Sequence, residues 1–374
     1  MIHTTRRALL GGLTLVPVAA ALPAFARDDR AAQSEAALDA VFAEHGPPAM
    51  TAGVVDANGL VWSARRGVRR AGGTEAVGAN DLWHLGSNGK AMTAILYARL
   101  VDQGRAKWGA TLADLFPDAT IDPALQPVTI DDLLCHRSGL IDRDIMTREV
   151  LIAGHQDRRP VREQRIDLAA SILGKAPTGP RGAFSYANAN YVMAGAAIER
   201  LLDQPWEEAL QSEVFAPLGL TTAGHGAPPG ENPWGHRMMG ETLAVVDPAR
   251  GADNPAAFGP AGRLHMTAAD YARFLKVYLT GGEGFLKPET FDHLMTAPSG
   301  EGRPYAFGWG VSTDQAWAKG PALAHEGSNS MWHAIARVAP VRKVAVFAIA
   351  NERPKGGPAD QAIAQRLIDI WAPA

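Results

Sequence analysis

The chain has 374 residues, 47% of them hydrophobic and 20% charged, an ordinary globular composition that excludes a disordered or fibrous protein. Its 36 basic and 39 acidic residues give a formal net charge of only -3, so no long-range field favours nucleic acid or an anionic membrane surface. A small molecule is the expected partner.

The first residues place Arg6-Arg7 after Thr4-Thr5, ahead of an apolar run from Ala8 to Leu22 and then Ala24-Phe25-Ala26. That order predicts an export signal of the twin-arginine type over residues 1–26, cleaved at the small residues, and a periplasmic address. The run is shorter than the roughly 20 residues that cross a bilayer and is broken by Gly11, Gly12 and Pro17, so no stable membrane span is expected. The single cysteine, Cys135, cannot form an internal disulfide. Within Leu133-Leu134-Cys135 it reads as a small buried hydrophobe.

Helical patterning follows from Ser34 to Glu44. Two apolar runs between Ala52 and Ser63 then flank Asn58-Gly59, a hairpin signal. Residues 226–233 read as a loop, and Met238 and Met239 just beyond it as packing rather than as the rim of a pocket. Near the far end, Met331 to Val338 and Lys343 to Ala350 are strand-like runs around a turn with Pro340. Asp360 to Trp371 has helical spacing of Ile363, Leu367 and Ile370. Strands therefore cluster at both ends of the chain and helices fill the middle. The predicted fold class is α+β: an antiparallel sheet built from both chain ends and flanked by the terminal helices, with a mostly helical lobe inserted. The α/β lobe would take residues 27–85 and 225–374 and the helical lobe residues 86–224, with the ligand between them.

Ser87-Asn88-Gly89-Lys90 opens a strongly apolar helix. Positions i and i+3 share a face, so the Lys90 amine can reach the Ser87 hydroxyl, and burial would lower the lysine pKa until the amine can accept the serine proton. A helix N-cap and a surface lysine would look the same in isolation. Two further elements follow in order. Tyr186-Ala187-Asn188 offers a phenol, whose pKa a buried ammonium would pull down and which could relay a proton, and an amide to orient a substrate carbonyl. His325-Glu326-Gly327-Ser328 precedes the last strand pair. Its glycine would let substrate approach, the Ser328 N–H could join that of Ser87 as an oxyanion hole, and His325 would face the bound acyl group.

Ser87-x-x-Lys90, Tyr186-x-Asn188 and His325-x-Gly327 together resemble the serine beta-lactamase and penicillin-binding-protein superfamily. Val128 to Leu140, Pro217 to Leu220, Ala261 to Asp270 and Phe307 to Gly310 resemble its branch of class C beta-lactamases, D-alanyl-D-alanine carboxypeptidases, D-aminopeptidases and family VIII esterases. The resemblance implies a beta-lactamase/transpeptidase-like fold and an acyl-enzyme on Ser87. Lys90 and Tyr186 would handle the proton, and Asn188, His325, Gly327 and Ser328 would bind substrate. Many beta-lactamases carry Lys where this chain has His325. A neutral His beside Glu326 would attract a substrate carboxylate less, or repel it. This shifts weight to carboxylic esters or D-amino-acid peptide and amide bonds, with a class C-like beta-lactamase or D-alanyl-D-alanine carboxypeptidase as the alternative. A non-catalytic module binding penicillin or cell-wall fragments would be expected to lack Ser87, Lys90 or Tyr186, and all are present. The 11 histidines, His136, His265 and His333 among them, form no metal-ligand spacing, so no metal or cofactor is expected.

Overall fold

The computed structural model describes residues 29–374, and the expected export signal lies outside them. Helix α1 (Arg30–His45) ends at Gly46, in the left-handed region with φ 59°. It leads into strands β1 (Ala49–Asp56) and β2 (Gly59–Gly67). Asp56 closes this hairpin by accepting hydrogen bonds from the Asn58 and Gly59 amides at 2.7 and 3.1 Å, a short polar side chain doing the work of a turn. A short strand β3 (Leu82–His84) precedes helix α2 (Lys90–Asp102). Residues 85–223 contain α2, α3 (Val161–Leu173), α4 (Asn188–Leu202), shorter helices and loops.

Strand β4 (Gly224–His225), the hairpin β5 (Gly235–Met239) and β6 (Thr242–Val246), and β7 (Leu264–Thr267) come next, then helix α5 (Ala268–Leu279). The chain finishes with β8 (Tyr305–Ala306), β9 (Trp309–Ser312), β10 (Ala322–Ser328), β11 (His333–Ala339), β12 (Val344–Ala350) and helix α6 (Gly356–Trp371).

The main sheet has the order β2-β1-β12-β11-β10-β9-β8, and its neighbours pair antiparallel. Its middle joins the two ends of the chain, with Met50 opposite Ala350 and Asp56 opposite Val344. On one face Leu38 and Val41 of α1 and Ile363 and Leu367 of α6 pack on Met50, Val346 and Ile335. On the other, Val55, Phe347 and Ile349 continue into a core that takes in Ile95, Leu96 and Val192 of the helical segment. β12 is buried on both faces, which is why its sequence, Val-Ala-Val-Phe-Ala-Ile-Ala, does not alternate. This is the predicted α+β architecture.

Three local expectations change. The strand expected from Met331 starts at His333, because Asn329 Oδ1 accepts the Met331 and Trp332 amides, both at 3.2 Å, and holds them in a turn. The last helix starts at Gly356, one turn before Asp360. Met238 and Met239 do not pack: they are 45% and 61% exposed, at the far end of a two-stranded sheet whose other end bridges to Glu352 through His236.

The helical segment is held by a buried ion pair. Arg165 of α3 is fully buried. It pairs with Glu199 of α4 and, at 2.6 Å, with Glu207, and donates through Nε to the Ala257 carbonyl at 3.1 Å. Removing one partner strands a buried charge. Arg165→Ala is therefore expected to lower unfolding free energy by about 3–5 kcal/mol in urea titrations, whereas a cost below about 1 kcal/mol would mean that the pair is solvated.

Candidate active site

Ser87 lies in a single 3-10 turn, Gly86–Gly89, between β3 and α2. The turn docks directly on the backbone of β10. Gly86 has φ 52°, and a Cβ there would stand 2.4 Å from Ser328 N; a Cβ on Gly327 would stand 2.1 Å from the Leu85 carbonyl oxygen and 2.6 Å from Ser87 N. Only glycine at both positions permits this approach. The crossing brings the backbone amides of Ser87 and Ser328 to the same place. The Ser328 hydroxyl is engaged elsewhere, donating to the Trp332 carbonyl at 2.6 Å.

Lys90, the first residue of α2, is completely buried. Its Nζ lies 3.0 Å from Ser87 Oγ, 2.7 Å from Asn188 Oδ1 and 2.5 Å from the Ala261 carbonyl oxygen. Burial lowers its pKa to about 7, with Asp142 pulling the other way. The two carbonyl-type acceptors match the two N–H bonds of a neutral amine, which leaves its lone pair for the serine hydroxyl.

Asn188 is the first residue of α4, and its amide is used at both ends: Oδ1 accepts from Lys90 while Nδ2 donates to Asp142 at 2.8 Å. Asp142 also accepts the backbone amides of Asn188 and Ala189 at 2.7 and 3.0 Å. Asp142 opens a separate short helix, Asp142–Ile145, and from there caps α4, placing negative charge where orphan donors cluster. One Nδ2–H of Asn188 remains for a substrate carbonyl.

Tyr186 departs from expectation. Lys90 Nζ stands over its ring, 4.9 Å from the centroid, and burial of the phenol raises its pKa, with hydrogen bonding to Ser87 in opposition. The phenol is pushed up rather than pulled down, because lost hydration outweighs the hydrogen bonding to Ser87. Tyr186 is 39% exposed and lines a cleft.

Behind it sits His136, fully buried with φ 57°. Its ring is 4.3 Å from that of Tyr186 and 4.8 Å from that of Tyr305. The Ala187 amide and Asn190 Nδ2 point at its Nδ1 from 3.2 and 3.1 Å. Burial, then the nearby Lys90 and His325, keep its pKa well below the ordinary range.

His325 Nε2 is 3.0 Å from the Tyr305 hydroxyl. Burial, then Lys90 and Arg303, lower its pKa to about 3, so it is neutral at working pH. Glu326 borders the same cleft, but its carboxylate is turned the other way. Successive strand residues face opposite sides, and Glu326 lies on the outer face, hydrogen-bonded by Gln361 and 3.5 Å from His333 Nε2. Burial opposes protonation of His333, but hydrogen bonds to Asp360 and Glu326 raise its pKa to about 9. The repulsion expected from Glu326 is therefore spent on a histidinium across the sheet.

Beyond Tyr186 and His325 opens a cleft of about 540 Å³, walled by Phe184, Tyr305, Trp317 and Leu323 and bordered by Arg303 and Arg337. Cys135 is buried and its thiol is pushed up to about 12 by burial. Among the described residues no three His, Cys, Asp or Glu side chains converge as metal ligands, and no helix is long and apolar enough to cross a membrane.

The family model for Beta-lactamase matches residues 31–369. The chain belongs to the beta-lactamase family. It is 29% identical over 331 residues to penicillin-binding protein 4 of Amycolatopsis lactamdurans, spanning 84% of this chain and 83% of that protein. It is 25% identical to the D-alanyl-D-alanine-carboxypeptidase/endopeptidase AmpH of Escherichia coli K12, over 69% of this chain and 64% of that one. The class C beta-lactamase from Rhodobacter sphaeroides superposes with a TM-score of 0.71 at 19% identity, covering 90% and 98% of the two chains. Beta-lactamase-family relatives are serine hydrolases, and so is this chain.

The structure brings all seven sequence-predicted site residues together, Ser87, Lys90, Tyr186, Asn188, His325, Gly327 and Ser328, and of these Tyr186 and His325 line the cleft. It adds Asp142, His136 and Tyr305, which the sequence did not single out. His136 stands inside the family-like stretch Val128 to Leu140, and that was its one signal.

Lys90 also leaves a mark on stability. Its pKa is lower folded than unfolded, so between about 7 and 10.5 the unfolded chain binds more protons, and stability rises with pH through that window. Lys90→Met is expected to lose this rise, of at most about 1.4 kcal/mol per pH unit, when urea unfolding is compared at about pH 7 and about pH 9. An identical rise in the variant would place its origin in another group.

Proposed function

We propose that this protein cleaves carboxylic esters or D-amino-acid peptide and amide bonds through an acyl-enzyme on Ser87. The observation that carries this is the Lys90 amine, wholly buried and 3.0 Å from Ser87 Oγ, with a pKa lowered to about 7. Such an amine takes the proton as Ser87 Oγ attacks the substrate carbonyl. The Ser87 and Ser328 amides receive the developing oxyanion. Tyr186, whose raised pKa keeps it protonated, gives its proton to the departing alcohol or amine as it takes the one Lys90 has just accepted, which returns Lys90 to the neutral amine. Water then attacks the acyl-Ser87 carbonyl and gives its proton to neutral Lys90, which hands it to Ser87 Oγ as the acid leaves. Asn188 turns its free N–H to the substrate carbonyl, while Gly327 keeps the strand edge open for the acyl chain.

Neutral His325 supplies no charge where many relatives carry lysine, and the wall of Phe184, Tyr305 and Trp317 suits an apolar group. Both favour substrates that need no carboxylate. A second substrate reading, a D-alanyl-D-alanine carboxypeptidase or beta-lactamase, is favoured by Arg303, a cation on the same cleft near enough to depress His325, and by the likeness to AmpH and penicillin-binding protein 4. The Arg6-Arg7 leader pattern supports export to the periplasm.

Turnover of a short-chain p-nitrophenyl ester, nitrocefin and a D-alanyl-D-alanine peptide tests the assignment. Ser87→Ala is expected to lose at least about 10³-fold in kcat on whichever is cleaved, with the ester cleaved best by the wild type. Unchanged turnover in the variant would sink the mechanism, and a preference for the D-peptide or nitrocefin would transfer the substrate reading to Arg303. Because Lys90 must be neutral, log kcat/KM should climb with pH and level off above an apparent pKa near 7; a rate falling through the same range would show that Lys90 acts as a cation.

A further inference from the structure

The amides of Ser87 and Ser328 belong to segments far apart in sequence, and each segment has its own polar tether. On the Ser87 side, the Gly86 N–H donates to Nδ1 of His84 at 3.0 Å, which leaves Nε2 to carry the proton offered to Asp253 Oδ2, also at 3.0 Å. His84 is fully buried and stacks on Trp332, centroids 5.4 Å apart. On the Ser328 side, the next residue, Asn329, donates through Nδ2 to Asp253 Oδ1 at 3.0 Å. The Asn329 oxygen in turn fixes the Met331 and Trp332 amides, and the Ser328 hydroxyl closes the same turn onto Trp332.

One buried carboxylate therefore reaches both sides of the crossing, with one oxygen for each. Its remaining contacts hold it in place: Asn254 N–H donates to Oδ1 at 2.8 Å, and Arg263 Nε stands 3.3 Å from Oδ2 and balances its charge. Burial alone would raise its pKa, but His84, Arg263 and Asn329 overcome that and hold it at about 2.

We propose that Asp253, acting through His84 and Asn329, is a positioning residue that sets the spacing of the Ser87 and Ser328 amides. This rests on Ser87 as nucleophile and on those amides as the oxyanion hole. Donors there must lie about 2.7–3.1 Å from the oxyanion, and a shift of about 1 Å can cost 10²-fold in rate. Asp253 itself touches no reacting atom. Its effect should appear on the transition state and hardly on substrate binding.

The test uses the full chain with a short-chain p-nitrophenyl ester and with phenylboronic acid, which adds to a serine hydroxyl as a tetrahedral anion. Asp253→Asn keeps the shape but can accept from only one arm, and it is expected to lose about 10–100-fold in kcat with KM little changed. Boronate affinity should fall in parallel, and Asp253→Ala should lose more than Asp253→Asn. Should either Asp253 variant fail to fold by circular dichroism, Asn329→Ala, which spares the Asp253–Arg263 pair, carries the same expectation. A folded variant with wild-type kcat, or one whose kcat falls while boronate affinity holds, overturns the positioning role while Ser87→Ala remains inactive. Continued turnover in Ser87→Ala overturns the nucleophile reading and this proposal with it.

Discussion

The dehydration of one amine governs this structure. Lys90 can serve as a near-neutral base only if its charged form is destabilised and nothing nearby restores it. Its neighbours meet that condition. His136 and His325 have depressed pKa values, and Tyr186 and Tyr191, whose ring centroids lie 4.9 and 5.4 Å from Nζ, raised ones, so these rings are all neutral. The one opposing charge, Asp142, is occupied by three N–H donors from the start of α4. Helix α2 follows from the same constraint: from Lys90 to Ala98 each residue is buried, and an all-apolar helix is one that belongs inside a core.

The second constraint is an approach of backbone to backbone. β9 pairs with β10 only along Ala322 to Ala324, so His325 to Ser328 keep a sheet edge for the Gly86–Gly89 turn and for substrate. An exposed edge is ordinarily a liability. Here it is narrowed to a few residues and crowded by the turn that carries Ser87, with glycine on both sides of the contact. Side-chain chemistry and backbone geometry are thereby set by different elements that meet only once.

Much of this was legible in sequence because the chemistry needs fixed residue types at fixed spacings. Ser87 and Lys90 are one helical turn apart, Tyr186 and Asn188 flank the start of α4, and Gly327 marks a close approach. What escaped had no such spacing. Asp142, His136 and Asp253 act through contacts between segments far apart in sequence, which a linear pattern does not encode. One expectation failed for a reason the sequence contained: the Tyr186 pKa was inferred from a neighbouring charge without the larger cost of burial.

The placement of Glu326 also explains why both ends of the chain build the sheet. Across its outer face Glu326 meets His333, which meets Asp360 of α6 at 2.9 Å, while Arg337 reaches Gln361 at 2.5 Å and Gln365 at 2.9 Å. These bonds fasten β10 and β11 to the last helix, and α1 packs beside that helix over β1 and β12. A histidine paired with two carboxylates keeps its proton into the alkaline range, so the fastening persists where Lys90 has become neutral. The edge that must hold still during acyl transfer is thus braced by charges turned to the outer face of the sheet, away from the dry interior that tunes Lys90.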